Sequence, residues 1–361
     1  MSKAAELAAL IGSQTALSNR NLIINGGMTV DQRNVGSSVT PSDSYTLDRF
    51  STNTSQASKF TVQQDTTAPV NFVNSLKVTS SSAYTVGAGD VFTVYQNIEG
   101  QNISHLNWGS ANAQTITLSF KVRSSLTGTF GGAIVNSAQD RSYPFTYTIS
   151  AANTWTDISI TVAGDTSGTW LTTNGIGIRV RFGLGAGSTY SGTAGAWAGA
   201  NYFSATGAVD VVGTSGATWY ITGIQLEVGE QATFFEHEDF GSTLRKCQRY
   251  FCKSYNYDIA PGASGSVNNL KGAASFSGGT STSNRPFWSA GQYPVTMRSE
   301  PTIVLYQYDG TSGKITGGSF ASYDGSAVNI GDRGFNAHPT GNVANSDDED
   351  HYLIFSASAE L

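Results

Sequence analysis

Residues 115 to 123, Thr115-Ile-Thr-Leu-Ser-Phe-Lys-Val-Arg123, alternate with period two: Ile116, Leu118, Phe120 and Val122 on one side, Thr115, Thr117, Ser119, Lys121 and Arg123 on the other. Successive side chains of an extended strand point to opposite faces, so this stretch predicts a strand in an antiparallel sheet with one apolar and one wet face. The alternation returns in Phe145-Tyr147-Ile149, Ile158-Ile160-Val162, Ile176-Ile178-Val180-Phe182 and Ile224-Leu226-Val228. Turn clusters at 125 to 128, 164 to 168 and 183 to 187 separate them, and residues 21 to 25 and 45 to 50 read as further extended runs. Short strands so punctuated, without long helical periods between them, predict an all-β fold, a jelly roll or β-sandwich.

Two short helices interrupt the pattern. Ala4, Leu7, Ala8 and Ile11 share a face over residues 3 to 11. An isolated helix below about 12 to 15 residues is marginal in water. Leu7 and Ile11 are therefore expected to pack on a neighbouring subunit or on the body the protein plugs into. Leu244, Cys247 and Phe251 share a face over 241 to 251, with Ser242 placed to cap the first turn. Glu236, Glu238 and Asp239 precede this helix, and Arg245, Lys246 and Arg249 lie within it, the order a helix dipole favours.

The resulting division is an attachment segment 1-20, a jelly-roll β-sandwich 21-240, a linking helix 241-252 and a smaller C-terminal β-sandwich 253-361. The last includes the strands Pro301 to Tyr308 and His351 to Ser356, the first of them apolar on both faces and expected to be covered on both.

Composition agrees with this architecture. Only 13% of the 361 residues are charged, against roughly 25% in a typical globular protein, and 41 glycines supply turns. With 20 basic and 26 acidic residues the net charge is -6, and no basic run offers a footprint for nucleic acid. Cys247 and Cys252, five positions apart, supply no disulfide framework and read as buried, idle thiols. The opening residues form neither a secretory signal nor a membrane span, so membrane insertion is not expected, and folding is expected in the cytoplasm where the chain is made.

Several strings, in order along the chain, resemble a family of tail-fibre and related virion-surface proteins of bacteriophages. They are Asn21-Leu-Ile-Ile-Asn-Gly-Gly-Met28, Tyr45-Thr-Leu-Asp-Arg-Phe50, Ile221-Thr-Gly-Ile-Gln-Leu-Glu-Val-Gly229 running on through Phe235-Glu236 to Cys247-Gln-Arg-Tyr250, Tyr293-Pro-Val-Thr-Met-Arg298 before Pro301-Thr302, and Ala357-Ser-Ala-Glu-Leu361. The resemblance implies a jelly-roll domain similar to carbohydrate-binding modules, a homotrimer, and a place on the virion surface, on the tail rather than the capsid. Its implied partners are other virion proteins, through the N-terminal part, and a host surface glycan. The rival readings are a capsid-surface fibre or decoration protein, a tail adaptor that contacts only virion proteins, and a polysaccharide depolymerase.

The residues themselves give no catalytic signature. A glycosidase needs two carboxylates across a sugar ring. Glu227 and Glu230 straddle a strand end, while Glu236, Glu238 and Asp239 form a helix entrance, so all five read as solvated or dipole-pairing groups. Asp347-Asp-Glu-Asp-His351 reads as a solvated acidic loop rather than a metal site, because consecutive residues of an extended chain point apart. No catalytic residue, metal or cofactor is assigned.

Aromatic residues make up 11% of the chain, and Trp197, Tyr202, Trp288, Tyr293 and Tyr323 lie in Gly-, Ser- and Asn-rich surroundings. An exposed ring can stack on the C–H face of a pyranose, so these five are the candidate ligand-binding residues. The alternative, rings that plug loops or subunit contacts, stays open. Long loops after residue 252 place receptor contact in the C-terminal domain and virion attachment at the N-terminal end.

Overall fold

The computed structural model describes residues 19–264, 274–277, 289–317, 321–340 and 350–361. The expected helix at 3 to 11, with Leu7 and Ile11, lies outside them, as do Trp288 and most of the acidic run from Asp347. The described chain divides into two units, one holding residues up to Val30, 36–240 and Leu361, the other 31–35 and 241–360. The segment 241-252, expected to link the two domains, therefore falls within the second unit.

Strands of the first unit run in chain order as β1 (Tyr45–Leu47), β2 (Phe50–Thr54), β3 (Phe60–Asp65), β4 (Ser75–Ser80), β5 (Val91–Glu99), β6 (Ile116–Ser124) and β7 (Gly128–Asn136). They continue as β8 (Ser142–Ile149), β9 (Thr156–Val162), β10 (Ile176–Ala186), β11 (Ser191–Gly192), β12 (Ser204–Ala205) and β13 (Thr218–Val228). One antiparallel sheet has the order β1-β2-β5-β10-β7-β8 and the other β3-β4-β13-β6-β9. The chain passes repeatedly from one sheet to the other, so strands that are neighbours in a sheet, such as β5 and β10, are distant in sequence. This is a jelly-roll type of β-sandwich.

The pleat decides what lies between the sheets. Ile116, Leu118, Phe120 and Val122 of β6 are buried, as are Ile178, Val180 and Phe182 of β10 and Phe145, Tyr147 and Ile149 of β8. With Trp219 and Leu226 of β13 they form one continuous core, each large side chain contributing about 1.5 to 3 kcal/mol by leaving water. Ser119, Lys121, Asp157 and Ser159 stand on the opposite side of β6 and β9, and Arg179 and Arg181 on the opposite side of β10.

Three local expectations are corrected. Residues 21 to 25 form no strand: the chain bends at Ile23 and turns over 24 to 27, with Asn25 at φ +61°. Gly183, Leu184 and Gly185 lie inside β10 instead of a turn; a Cβ on Gly183 would stand 2.7 Å from Ser204 Oγ, so the missing side chain lets β12 lie against the sheet. The helix runs Phe240–Gln248, which puts Ser242 inside it instead of at its cap and leaves Phe251 to the strand Phe251–Lys253.

In the second unit, the strand Asp350–Ser358 pairs along its length with Phe251–Lys253, Thr302–Tyr306, Ala274–Ser277 and Lys314–Thr316. Leu353, Phe355 and Ala357 join Leu305, Ile315 and Phe335 in one apolar cluster, and Ile354 packs with Tyr255 and Tyr306 in another. Cys247 and Cys252 are both buried and unbridged. Burial pushes the Cys252 thiol up to about 12, so it stays protonated and unreactive at neutral pH.

Candidate functional site

The strings 21 to 28 and 221 to 236 build one structure. Leu22 N–H donates to the Leu226 carbonyl and Ile224 N–H to the Gly26 carbonyl. Asn21 Nδ2 donates to the Ile224 carbonyl, while its Oδ1 accepts from the Ile23 and Leu226 amides. Gln96 of β5 holds both the amide and the carbonyl of Ile24. The segment is thus laced to β13 by side chains that imitate a neighbouring strand.

Beyond β13 the chain folds back over the outer face of its own sheet. Thr233 covers Gln225 and Glu227, which are fully buried although they point away from the core. Glu227 accepts from Gln225 Nε2 at 2.8 Å, Thr233 N–H at 2.9 Å and Thr233 Oγ1 at 2.7 Å, with Arg20 Nε at 3.7 Å. Glu236 accepts from the Asn19 and Asn21 amides. The expectation that Glu227 and Glu236 are solvated or helix-entry groups is therefore corrected: both close the polar lock under this flap.

A groove of about 510 Å³ opens between the flap and the loop that carries Phe72. Its aromatic wall is Phe72, Phe235 and His237, with ring centroids 5.0 Å apart for Phe72 and Phe235 and 5.2 Å for Phe72 and His237. Polar side chains from neighbouring strands make the floor. Ser119 of β6 faces Ser159 of β9, and Lys121 faces Asp157 across the same pair, with Lys121 Nζ 2.6 Å from Asp157 Oδ1. Phe234 on the rim is 94% exposed, and Val70 and Val73, which flank the lining residues Asn71 and Phe72 in the chain, are 85% and 67% exposed.

Gly223 makes the wall possible. Its φ is +62°, and a Cβ there would stand 2.8 Å from the Phe72 ring, so a side chain would both strain the backbone and push Phe72 off the sheet. The groove volume is within the range of small-ligand sites, and its combination of rings over short hydroxyls and a neutralised ion pair suits an uncharged, hydroxyl-rich ligand.

The sequence-predicted aromatic residues lie elsewhere and are divided between the units. Trp197 is half-buried, edge-on to Trp108 at 5.3 Å, Trp170 at 5.4 Å and Tyr143 at 5.3 Å, and its indole N–H is donated to the Ala163 carbonyl. Tyr202 lies against Gly192 on the strap 190 to 206, which Arg181 pins through Asn201 Oδ1 and the Tyr202 carbonyl. Tyr293 is buried and stacks on Phe335 at 6.0 Å; a ring enclosed in the core has no face for a sugar, which corrects its reading as a loop contact. Tyr323 is half-buried in the strand Ser322–Val328 and lies against Gly317.

Sequence reading missed Phe72, Phe234, Phe235 and the floor of the groove. The available signal was two consecutive phenylalanines just past a strand end, where an alternating chain must leave one of them in water.

No family model matches the chain, and no curated protein matches it. Among solved structures it is similar to the enzymatically active domain of tailspike protein 4 of bacteriophage CBA120, with 12% identity and a TM-score of 0.33 over 58% of this chain and 22% of that one. It is also similar to the carbohydrate-binding module TmCBM61, solved with β-1,4-galactotriose, with 9% identity and a TM-score of 0.30 over 58% of this chain and all (100%) of that one. A family 11 carbohydrate-binding module from Clostridium thermocellum gives 11% identity and a TM-score of 0.28 over 55% of this chain and 98% of that one.

Proposed function

We propose that this chain is a phage virion-surface fibre protein, trimeric and carried on the tail, whose first β-sandwich, in place of the C-terminal domain expected from its long loops, holds a neutral host glycan in the groove without cleaving it. The observation that carries the binding reading is the pairing of the Phe72, Phe235 and His237 wall with the Ser119, Lys121, Asp157 and Ser159 floor. Virion placement and trimer formation rest on the ordered resemblance of the sequence strings. Non-cleavage is supported by the groove's lining: Asp157 is its one carboxylate among the described residues, and it is tied to Lys121, whereas glycoside hydrolysis uses a pair.

Full-length protein should bind purified host capsule or lipopolysaccharide and release no oligosaccharide from it. Phe72→Ala and Phe235→Ala should each weaken binding by roughly tenfold or more, as expected where a stacking ring is removed, with the circular dichroism spectrum unchanged. Gly223→Ala should weaken binding similarly and cost about 1 to 2 kcal/mol of stability through its left-handed backbone. Released oligosaccharide would overturn the non-cleaving reading, and a monomer by light scattering would remove the trimer.

A second reading draws on Phe234, Val70 and Val73, which offer an apolar rim to a protein partner as readily as to a sugar. Variants that bind glycan normally but no longer enter particles would establish that the groove docks to the virion instead.

A further inference from the structure

The outer face of the five-stranded sheet carries a second aromatic patch beside the groove. Lys121 and Asp157, on the groove floor, are register partners, and Val122 pairs with Thr156. The next outward position therefore sets Trp155 beside Arg123. Both side chains meet Tyr220, which β13 places opposite Arg123. The Trp155 ring centroid lies 6.3 Å from that of Tyr220, with 66° between the planes, and the Arg123 guanidinium lies 5.1 Å over the Tyr220 ring. Tyr220 is buried, so Trp155 and Arg123 form the surface of this patch.

Trp155 differs from the other described tryptophans in what its indole N–H does. Trp108 donates to the Gln114 carbonyl, Trp170 to that of Ser167, Trp197 to that of Ala163 and Trp219 to Tyr147 Oη. Trp155 is half-buried, and its N–H is open to solvent and meets no acceptor among the described residues. A tryptophan enclosed by protein usually finds a partner for this group; one that keeps it free at the surface can donate to a ligand hydroxyl. Arg123 is placed alike. Its Nε donates to the Asn153 carbonyl at 2.8 Å, which holds the guanidinium over Tyr220, and its two terminal nitrogens make no hydrogen bond among the described residues.

The patch and the groove wall are too far apart to serve one sugar. Phe72 stands against Gly223 of β13, and β6 lies between β13 and β9. Gly223 follows Thr222, the partner of Lys121, whereas Trp155 is level with Arg123. Strands about 4.8 Å apart and a rise of about 3.3 Å per residue put the two rings roughly 12 Å apart, farther than one pyranose reaches. The line between them crosses Lys121 and Asp157, whose side chains are 30% and 77% exposed. Open polar groups thus join the two aromatic surfaces.

We propose that Trp155 and Arg123 form a second subsite and that the ligand is a neutral oligosaccharide chain rather than a single sugar. One unit lies against Phe72 and Phe235, the chain crosses the Lys121 and Asp157 pair, and a further unit accepts from the Trp155 N–H and the Arg123 terminal nitrogens. This rests on the groove being the glycan site and adds to it the length of ligand that the face holds.

The test is a calorimetric titration of full-length protein with purified host capsule or lipopolysaccharide, cut by mild acid and fractionated by size. Long fragments should bind about tenfold or more tighter than the single-sugar fraction. Trp155→Ala should remove that gain and leave single-sugar affinity unchanged; Trp155→Phe, which keeps a ring without the N–H, should retain part of it; Phe72→Ala should weaken every fraction. Long fragments that bind Trp155→Ala as tightly as the unaltered protein, with Phe72→Ala still weakened, overturn the subsite and leave the groove standing. If neither the intact polysaccharide nor any fraction binds, or Phe72→Ala binds all of them normally, the groove reading falls and the subsite with it. If Trp155→Ala is unfolded by circular dichroism, the unaltered protein decides: oxidation of Trp155 by N-bromosuccinimide, mapped by mass spectrometry, should be slowed by long fragments and not by single sugars. Equal oxidation with and without long fragments overturns the subsite.

Discussion

Glu227→Ala is expected to destabilise the first unit by about 3 to 5 kcal/mol, the range for removing one partner from a buried charged network. Glu227 is fully buried and accepts three hydrogen bonds, two of them from Thr233 and one from Gln225. Removing its carboxylate strands the Thr233 amide under the flap and leaves Arg20 without the charge it faces at 3.7 Å. Glu227→Gln should cost less but still measurably, because an amide group turns one acceptor into a donor against donors already present. Glu230 is the control: three positions on, it is exposed, and Glu230→Ala should stay within about 0.5 kcal/mol of the unaltered protein. Urea unfolding reads the effect as a shifted midpoint at constant slope. Equal midpoints for Glu227→Ala and Glu230→Ala would refute the lock.

The contrast between these two glutamates shows which parts of the structure were legible in the sequence. Alternation in β6, β8, β9, β10 and β13 was readable because the pleat converts every second residue into a buried one, and that rule is local. It assigned Glu227 correctly to the outer face. Exposure did not follow, since the chain returns over that face from Thr233 to Glu236, and a covering segment leaves no periodic trace. The run from Gly183 was misread for the same reason: its glycines answer to Ser204, about twenty residues further on, rather than to a local turn. Tyr293 has a polar, turn-rich neighbourhood in sequence but a core one in space.

The groove was less legible still. Its wall and floor come from residues 71 to 72, 119 to 121, 157 to 159 and 223 to 237, four pieces that no spacing rule joins. Arg179 and Arg181 were visible only as charges interrupting an apolar strand, the position where a wet outer face is expected to carry them. Their placement opposite Asn97 and Tyr95 is a property of the sheet's register and so of the folded state alone.

Gly26→Ala should cost about 3 to 4 kcal/mol, although the substitution adds one methyl group and removes no contact. A Cβ on Gly26 would stand 2.1 Å from the Ile224 carbonyl oxygen, and that oxygen belongs to the backbone of β13, which β6 holds on either side of Ile224 and β4 as far as Ile221. A flexible side chain would swing aside; a central strand does not. Relief must come from the 21 to 28 segment, which has to lift from β13. Lifting breaks the Ile224 to Gly26 and Leu22 to Leu226 backbone hydrogen bonds and both Asn21 contacts with β13. Four hydrogen bonds at a net of about 1 kcal/mol each set the expected loss. The direct measurement is hydrogen exchange: the Leu22 and Ile224 amides should lose protection in Gly26→Ala while amides of β7 and β8, in the other sheet, keep theirs. Uniform protection across both sets, with an unchanged unfolding midpoint, would mean that the segment is not held by its approach to β13.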